Sequence, residues 1–266
     1  MTTDTTSPTD ELLFSTDEAG IARIVLNRPQ ARNALTFGMY EGLITLCGRV
    51  AEDPAIRALI ITGAGEKAFA AGTDIAQFRS FRTAEDALGY ERFMDRVLGT
   101  LERLRVPTIA AVAGACTGGG AAIAAACDMR LATQDARFGF PIARTLGNCL
   151  SQGNLKRLSG LIGPARVKDI LFTARLVGAD EALAIGLVSE VVADSDALEA
   201  RAAELAALLA GHAPLTLQAT KEGLRRLQEG DMGAGEDLIL QCYMSADFRE
   251  GMEAFLAKRP PHWTGR

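Results

Sequence analysis

Short runs of β-branched residues alternate with longer stretches of helical character, and this alternation constrains the fold more than any other feature of the sequence. Strands are predicted at residues 21–26, 58–62, 108–112, 129–132 and 188–192. Helices are predicted between them, at residues 36–52, 84–103 and 119–126. Because strands separated by helices of this length need crossover connections, the pattern predicts an α/β fold with mostly parallel strands.

The two ends of the chain have a different character. Residues 1–11 are rich in Thr, Ser, Pro and Asp, which predicts a disordered tail. From residue 163 onward helix follows helix, with predicted helices at 164–173, 180–185, 196–209, 214–229 and 235–257. We therefore divide the chain into the tail, a core at 12–195, and a C-terminal helical section at 196–266 that packs on the sheet or contacts a neighbouring subunit.

Composition excludes several classes of function. The chain has only two histidines, His212 and His262, and both lie in its C-terminal fifth. A histidine-based metal site or a Ser-His-Asp triad is therefore not expected, and no metal is predicted. The 33 Asp and Glu residues favour carboxylate, backbone-amide or hydroxyl chemistry instead. A net charge of -5 argues against nucleic-acid binding, because phosphate recognition calls for a basic face.

The sequence predicts a cytoplasmic protein that does not bind membranes. Its longest apolar stretch, residues 109–126, is interrupted by glycines and is too short to cross a bilayer. The polar, acidic N-terminus lacks the features of a secretory signal or a transit peptide. The five cysteines are odd in number and form no CxxC pair, which predicts reduced thiols.

The first of three glycine-rich segments, residues 62–74 (TGAGEKAFAAGTD), follows a predicted strand. Gly63, Gly65 and Ala68 have the spacing of a dinucleotide fingerprint, and Asp86 lies at a suitable distance downstream. A nicotinamide-dependent oxidoreductase is therefore one hypothesis. Against it, the later Gly72 indicates a loop that turns again, where the fingerprint requires a helix.

The second segment, residues 113–128, contains a glycine triplet between a predicted strand and an alanine-rich run. This pattern is typical of a tight turn that leads into a helix N-terminus, whose first N–H groups have no partner within the helix. Close packing of a small-residue helix on a sheet is the alternative interpretation. Two such loops together could supply the pair of backbone N–H groups of an oxyanion hole, which needs no titratable group.

The third segment, residues 138–154, concentrates polar side chains between apolar flanks, which indicates a binding surface or satisfied backbone groups. The run CLSQG at residues 149–153 lacks the first glycine of a nucleophile elbow, and Cys149 is expected to be a buried, unreactive thiol. The possible polar partners of a substrate in this segment are Arg144, Thr145, Asn148 and Ser151.

Four motifs, LNRPQARNAL (26–35), AFAAGTDI (68–75), ACTGGGAAIAAACD (115–128) and FLAKRPPHW (255–263), resemble the enoyl-CoA hydratase/isomerase family of the crotonase superfamily. The resemblance extends from about residue 12 to the C-terminus. It implies an α/β fold in which residues 12–195 form a crotonase-like spiral of ββα turns and residues 196–266 a helical trimerisation section. It also implies an acyl-CoA thioester substrate, no permanently bound cofactor, and a homotrimer or homohexamer.

The resemblance implies specific site residues. The oxyanion hole maps to the backbone N–H groups of Thr73 and Gly119, which would stabilise the enolate form of a bound thioester. The resemblance also implies that coenzyme A is met by Gln30, Ala31, Arg32, Ala71, Phe255 and Lys258. Of these, Ala71 is expected near the adenine and Lys258 near a phosphate.

This chain departs from the family at the acidic positions. Of the two glutamates that hydratases use, one corresponds to Ala122 and the other to Ile142 or Ala143. A third carboxylate position, used by some isomerases and dehalogenases, is Ser151. Because adding water across a double bond needs a general acid and a general base, standard hydration is not expected.

Several activities stay open without those carboxylates. A malonyl-type acyl-CoA could be decarboxylated, with Arg144, Thr145 or Asn148 orienting the leaving carboxylate. Hydrolysis is a second possibility, and isomerisation assisted by Tyr90 or Glu91 is a third. A catalytically inactive acyl-CoA-binding subunit is the alternative outside enzymology.

Overall fold

Two β-sheets form the framework of the protein, for which the computed structural model describes residues 7–266. The strands are β1 (Leu12–Thr16), β2 (Ile21–Leu26), β3 (Ala58–Gly63), β4 (Ala68–Ala70), β5 (Thr108–Val112), β6 (Ala115–Thr117), β7 (Met129–Thr133), β8 (Arg137–Gly139), β9 (Val177–Gly178) and β10 (Glu190–Val192). The larger sheet has the order β1-β2-β3-β5-β7-β10, and only its β1–β2 pair is antiparallel.

The helices are α1 (Phe37–Glu52), α2 (Ala84–Glu102), α3 (Gly119–Ala126), α4 (Ile142–Thr145), α5 (Gln152–Ile162), α6 (Pro164–Thr173), α7 (Ala179–Ala184), α8 (Ser195–Ala210), α9 (Pro214–Glu229), α10 (Glu236–Tyr243) and α11 (Ala246–Ala257). Short 3-10 helices occupy Pro29–Ala31 and Ile75–Ser80. The predicted α/β fold with mostly parallel strands is therefore confirmed.

The smaller sheet explains how the chain forms a spiral. Its order is β4-β6-β8-β9, and β4, β6 and β8 run parallel. Each of these three strands follows directly on a strand of the larger sheet and precedes a helix, as in the successions β3-β4-α2, β5-β6-α3 and β7-β8-α4. These are the ββα turns that the family resemblance implies. Because successive turns of the spiral lie against each other, the N-terminus of α3 lies close to the loop after β4.

Both faces of the larger sheet are covered, which accounts for the continuous apolar runs of its central strands. In β3, Leu59 and Ile61 belong to the main core with α1, α2 and α3, whereas Ile60 belongs to a second core with α8. Every residue of α3 after Gly119 is buried. At Gly120 a Cβ would lie 2.5 Å from the Ala70 carbonyl oxygen, so the helix approaches β4 as closely as glycine alone permits.

The ends of the chain differ from the prediction. Residues 1–6 of the predicted tail lie outside the described residues, but residues 7–11 form a turn that leads into β1. The Glu11 carboxylate accepts a hydrogen bond from the Thr36 hydroxyl (2.7 Å) and forms a salt bridge with Arg28 (3.0 Å). The prediction of disorder is therefore wrong for the end of the tail. The polar composition concealed these contacts, since their partners are distant in sequence.

Several element boundaries were also wrong. The predicted strand 188–192 begins at Glu190, and the predicted helix 235–257 is two helices, because Ser245 caps a new helix by accepting from the Phe248 N–H (2.9 Å). The prediction missed α4, α5, β1 and the strands of the smaller sheet. Strands of two or three residues are too short to display a period.

The C-terminal section is not uniform. Helix α8 packs on the larger sheet as part of the second core, so the boundary at residue 196 does not separate it from the body of the protein. Helix α9 is tied to the same body by Lys221, whose ammonium lies 2.7 Å from the Asp128 carboxylate. None of the helices between residues 7 and 266 combines the length and the apolar character that a membrane span requires.

Candidate active site

A cavity of about 290 Å³ lies where successive turns of the spiral meet. The loop after β4 forms one side and the N-terminus of α3 forms the floor. One face of α2 and the segment 140–150 complete the wall. Its apolar lining includes Ile75, Phe78, Met94, Phe140, Ile142, Leu146 and Leu150, and its polar lining includes Thr73, Tyr90, Glu91, Thr117, Thr145, Asn148, Cys149 and Asn154.

Two glycines allow the loops on either side of the cavity to touch. Gly72 has a φ of 107° and Gly118 a φ of 51°, a region that side chains disfavour. A Cβ on Gly118 would lie 3.5 Å from the Cα of Gly72, so the two backbones are in van der Waals contact. The glycines recognised in the sequence therefore act through their backbone conformation.

Two backbone N–H groups at this contact have no protein acceptor among residues 7–266. The N–H of Leu35 donates to the Gly72 carbonyl (2.8 Å) and the N–H of Asp74 donates to the Leu35 carbonyl (2.8 Å), which fixes the backbone around Thr73 and leaves its N–H outside the pairing. Gly119 is the first residue of α3, where a helix has no internal acceptor. The two donors predicted for the oxyanion hole thus line one cavity.

Two tyrosines flank the Thr73 side chain. The Thr73 hydroxyl lies 2.8 Å from the Tyr40 hydroxyl and 3.0 Å from the Tyr90 hydroxyl. Tyr40 is fully buried, and burial raises the pKa of its phenol well above the usual value. Tyr40 was missed in the sequence, since nothing in helix α1 indicates that this residue meets a loop after β4.

Glu91 is the one carboxylate among the described residues that line the cavity. It is half-buried, and within residues 7–266 neither a hydrogen bond nor a salt bridge engages its carboxylate. Burial raises the pKa of Glu91, and the nearby negative charge of Asp95 raises it further. An unpaired carboxylate with a raised pKa in a cleft is typical of a proton-transfer group.

The positions to which the resemblance assigns acids are apolar or lie outside the cavity. Ala122 and Ile142 both line the cavity, whereas Ala143 and Ser151 do not. The Ser151 hydroxyl accepts from the Asn154 N–H (3.2 Å) at the start of α5 and donates to the Asp95 carboxylate (3.0 Å). The structure thus gives Ser151 a helix-capping position outside the cavity.

The other residues predicted in the segment 138–154 separate into two groups. Thr145 and Asn148 line the cavity, whereas the exposed Arg144 does not. Cys149 is exposed and lines the cavity, so the expectation of a buried thiol was wrong. The reason is that residues 146–151 form an open loop between α4 and α5, which apolar flanks alone do not reveal.

The residues predicted to meet coenzyme A lie in two places. Ala71 is exposed at the edge of the cavity, and its N–H donates to the Arg32 carbonyl (3.0 Å). Arg32 and Lys67 line a neighbouring cavity of about 210 Å³, beside the 3-10 helix that contains Gln30 and Ala31. Phe255 and Lys258, at the end of α11, are exposed and line neither cavity.

The structure removes the local context that a dinucleotide site needs. The loop after β3 leads into strand β4, where the fingerprint requires a helix. Asp86 caps helix α2, since its carboxylate accepts from the Thr83 N–H (2.8 Å). Within residues 7–266, no cluster of His, Cys, Asp and Glu could hold a metal ion.

Comparison with known proteins finds relatives that match nearly the whole chain. A sequence profile described as enoyl-CoA hydratase/isomerase matches residues 16–266. The short-chain-enoyl-CoA hydratase of Clostridium acetobutylicum is 36% identical over 246 residues, which cover 91% of this chain and 93% of the relative.

Solved structures match over a similar length. An enoyl-CoA hydratase/carnithine racemase from Magnetospirillum magneticum has a TM-score of 0.89 at 36% identity and covers 97% of each chain. The enoyl-CoA hydratase of Bacillus anthracis has a TM-score of 0.85 at 33% identity, covering 95% of this chain and 99% of that one. The fold predicted from the resemblance is confirmed, and the chain belongs to the enoyl-CoA hydratase/isomerase family.

Proposed function

We propose that this protein is an acyl-CoA enzyme that forms a thioester enolate, with Glu91 as its proton carrier. The observation that carries the proposal is the unpaired Glu91 carboxylate in the same cavity as the free N–H groups of Thr73 and Gly119. Two fixed amide donors stabilise negative charge as it develops on a carbonyl oxygen. Coenzyme A enters as part of the substrate, and no permanently bound cofactor is needed.

The reaction that needs a single carboxylate is isomerisation of an enoyl thioester. Glu91 removes a proton from C2 of a 3-enoyl thioester, and the electron pair of that C–H bond moves into a dienolate whose oxygen lies at Thr73 and Gly119. Glu91 then returns the proton to C4, and the double bond lies between C2 and C3. Atoms and charge balance without water, metal or an oxidant.

Hydration is less well supported. The relative from Clostridium acetobutylicum is named a hydratase. By resemblance, the positions of the two hydratase glutamates fall at Ala122 and at Ile142 or Ala143, whose side chains have no ionisable group. A water molecule would therefore have to be activated by Glu91 alone, with no second acid to protonate the substrate.

Decarboxylation, hydrolysis and simple binding make different demands on the cavity. Decarboxylation of a malonyl-type thioester would benefit from a cation near the leaving carboxylate, but no Lys or Arg lines the cavity among residues 7–266. Thr145 and Asn148 offer only neutral polar groups. Hydrolysis and a purely binding role make no such demand, so the assay below includes both.

We also propose how coenzyme A is held. Arg32 and Lys67 lie together beside the neighbouring cavity and could bind phosphate, and the Arg32–Ala71 hydrogen bond links this cavity to the edge of the active site. Phe255 and Lys258 line neither cavity of their own chain, and we propose that they contact coenzyme A bound to a second copy. The exposed apolar residues of α10 and α11 support a homotrimer or homohexamer, and they include Ile239, Leu240, Met252 and Leu256.

The test is a panel of 3-enoyl, 2-enoyl, malonyl and saturated acyl-CoA thioesters. Isomerisation is measured as a gain in absorbance of the conjugated thioester, hydration as its loss, decarboxylation as CO₂ release, and hydrolysis as free thiol. We expect isomerisation by the wild type and a loss of about 10² to 10⁴ in rate for Glu91→Gln. Glu85→Gln, an exposed glutamate of the same helix, is the matched control.

Three outcomes would contradict the proposal. Turnover of the malonyl thioester alone would identify a decarboxylase, and release of thiol alone would identify a hydrolase. If no thioester is converted while acyl-CoA esters still raise the melting temperature, the protein is a binding subunit. Cytoplasmic location stays a prediction, which fractionation of cells that produce the protein would test.

A further inference from the structure

A side-chain amide in the first turn of α5 borders the active-site cavity and takes no part in the proposed proton transfer. Asn154 is only 7% exposed, and it is one of the residues that line the cavity. Its backbone N–H donates to the Ser151 hydroxyl (3.2 Å), which caps the helix, so the Asn154 side chain is not needed for capping. The contacts of the side-chain amide therefore decide its role.

One end of the Asn154 amide is held by a fixed arginine. Its Oδ1 accepts from the Arg157 guanidinium (2.9 Å), and Arg157 is paired with both carboxylate oxygens of Glu102 (2.6 Å and 2.7 Å). Because a guanidinium has donors and no acceptor, the amide oxygen must face Arg157 and the NH₂ group must lie on the other side. The positive charge on the oxygen's partner also makes the NH₂ group a stronger donor.

The other end of the amide has no protein partner. Among residues 7–266, the hydrogen bonds of Asn154 outside the helix ladder are those to Ser151 and Arg157, and neither uses Nδ2. In the same part of the chain, every side-chain nitrogen or oxygen that is fully buried does have a partner. Nδ2 is therefore accessible, and the small surface that Asn154 exposes borders the cavity. A fixed donor is thus available to whatever fills the cavity.

The contacts between α5 and α2 give the position of this donor along the cavity. The start of α5 contacts α2 at Asp95, through the Ser151 hydroxyl (3.0 Å), and the next turn contacts α2 at Glu102. Asn154 lies between these two contacts. Asp95 follows Glu91 by one helical turn, about 5.4 Å along the axis. The amide is therefore displaced from the proposed proton carrier towards the C-terminal end of α2.

This direction leads into the body of the protein. Met94 is the first buried residue of α2, and the other buried residues of the helix follow it. The proposed coenzyme A position is at the opposite, exposed edge of the cavity, where Ala71 lies. An acyl chain that passes Glu91 therefore reaches the Asn154 amide with its distal part, beyond the reacting carbons.

The surroundings of the donor indicate which chemical group it would bind. A hydrocarbon chain would displace water from Nδ2 and leave a polar group without a partner, which is unfavourable. An anionic chain end would meet the Glu91 carboxylate, and no Lys or Arg lines the cavity in the part of the chain that the structure describes. A neutral oxygen that accepts a hydrogen bond fits both conditions.

We propose that Asn154 is a specificity-determining residue, and that the preferred substrates are acyl-CoA thioesters whose chain carries a neutral oxygen acceptor, such as a keto group, beyond the reacting carbons. Arg157 is a positioning residue, because it holds the amide with its NH₂ group towards the cavity. The inference rests on the proposed function, since it requires the acyl chain to occupy this cavity.

The experiment compares acyl-CoA thioesters that differ only in one oxo group. Saturated thioesters with the oxo group at C5, C6, C7 or C8 are titrated by calorimetry beside the unsubstituted chain of the same length, so that no turnover is needed. We expect one of the oxo positions to bind the wild type about fivefold to tenfold more tightly than its unsubstituted partner, as for one added hydrogen bond.

Asn154→Asp is the sharpest variant. It keeps an oxygen that accepts from Arg157, but at pH 8 it replaces the NH₂ donor by an oxygen that cannot donate. The preference for the oxo group should vanish, whereas a hydroxyl group at the same carbon can donate to the new carboxylate and should still improve binding. Asn154→Ala should lose both preferences. Gln134→Glu makes the same chemical change at an exposed position and should keep the wild-type preference.

The outcomes separate this inference from the proposed function. If no acyl-CoA binds to the wild type, the proposed function itself fails. If acyl-CoA binds but no oxo group improves the affinity, or if folded Asn154→Asp keeps the oxo preference, the inference is wrong and the proposed function stands. Tighter binding of a chain that ends in a carboxylate would also overturn the assignment of a neutral acceptor. Melting temperatures show whether each variant is folded, and Asn154→Ala decides if Asn154→Asp is not.

Discussion

The Tyr40 hydroxyl occupies the space that any side chain at Gly119 would need. A Cβ on Gly119 would lie 2.0 Å from the Tyr40 oxygen and 3.1 Å from the Thr73 hydroxyl oxygen. Glycine is therefore required at position 119 both by a buried tyrosine of α1 and by the turn before α3. The relationship connects the middle glycine of the triplet to the same hydroxyl group that contacts Thr73.

The first prediction concerns this pair. Gly119→Ala should lower activity at least tenfold, because the new methyl group must displace either Tyr40 or the N-terminus of α3. Tyr40→Phe removes the clashing oxygen. The double variant Gly119→Ala/Tyr40→Phe should therefore lose less activity and less stability than the losses of the two single variants added together. Rates and urea unfolding of all four proteins form a double-mutant cycle. Strict additivity would show that the two residues do not compete for space.

The second prediction concerns pH. As a base, Glu91 must be ionised, and its pKa is raised by burial and by Asp95, so kcat/KM should fall as the pH drops through a value above the usual pKa of about 4.3 for glutamate. Glu91→Gln should abolish this acidic limb along with most of the activity. A variant that keeps the limb would assign it to another group.

The third prediction concerns the stability of Glu91→Gln. This substitution should lower activity but raise the stability of the fold. A carboxyl group whose pKa is higher in the folded than in the unfolded protein binds its proton more tightly when folded. Its ionisation therefore destabilises the fold, with no effect below the unfolded pKa and the full effect above the folded one. Glu91→Gln should melt at a higher temperature than the wild type at pH 7, and the difference should vanish in acid.

The fourth prediction concerns the attachment of α9. The Asp128 carboxylate accepts from the Thr108 N–H (2.8 Å), from the Thr108 hydroxyl (2.9 Å) and from Lys221 (2.7 Å). Asp128→Ala leaves both Thr108 donors without a partner and leaves Lys221 with the Val106 carbonyl (3.2 Å), so it should reduce the free energy of unfolding by about 2–3 kcal/mol. Urea unfolding measures this change. Asp180→Ala, at an exposed position of α7, is the control and should stay close to the wild type.

The sequence was informative where long elements or special backbone conformations were involved. The strands at 58–62 and 108–112 were predicted correctly, because a sheet covered on both faces requires continuous apolar runs. Gly72 and Gly118 marked the two loops, because their positive φ angles favour glycine.

Other parts of the site had no local signal. The strands β4, β6 and β8 have three residues each, and pairing between successive turns of the spiral defines them. Tyr40 contacts Thr73 only because α1 packs beneath the loop after β4, a tertiary relationship that no spacing in the sequence encodes. The exposure of Cys149 likewise depends on how the segment between α4 and α5 lies over the cavity.

The contact between Gly72 and Gly118 has a consequence for how such a protein can change in evolution. The two amide donors are fixed by backbone geometry in adjacent turns, whereas Glu91 and Tyr90 stand on α2 and Ile142 on α4. Substitutions on these helices can exchange the proton-transfer groups without moving the amides. On the proposed mechanism, new reactions can therefore arise through stepwise changes of side chains, with each intermediate keeping the two amides that polarise a thioester.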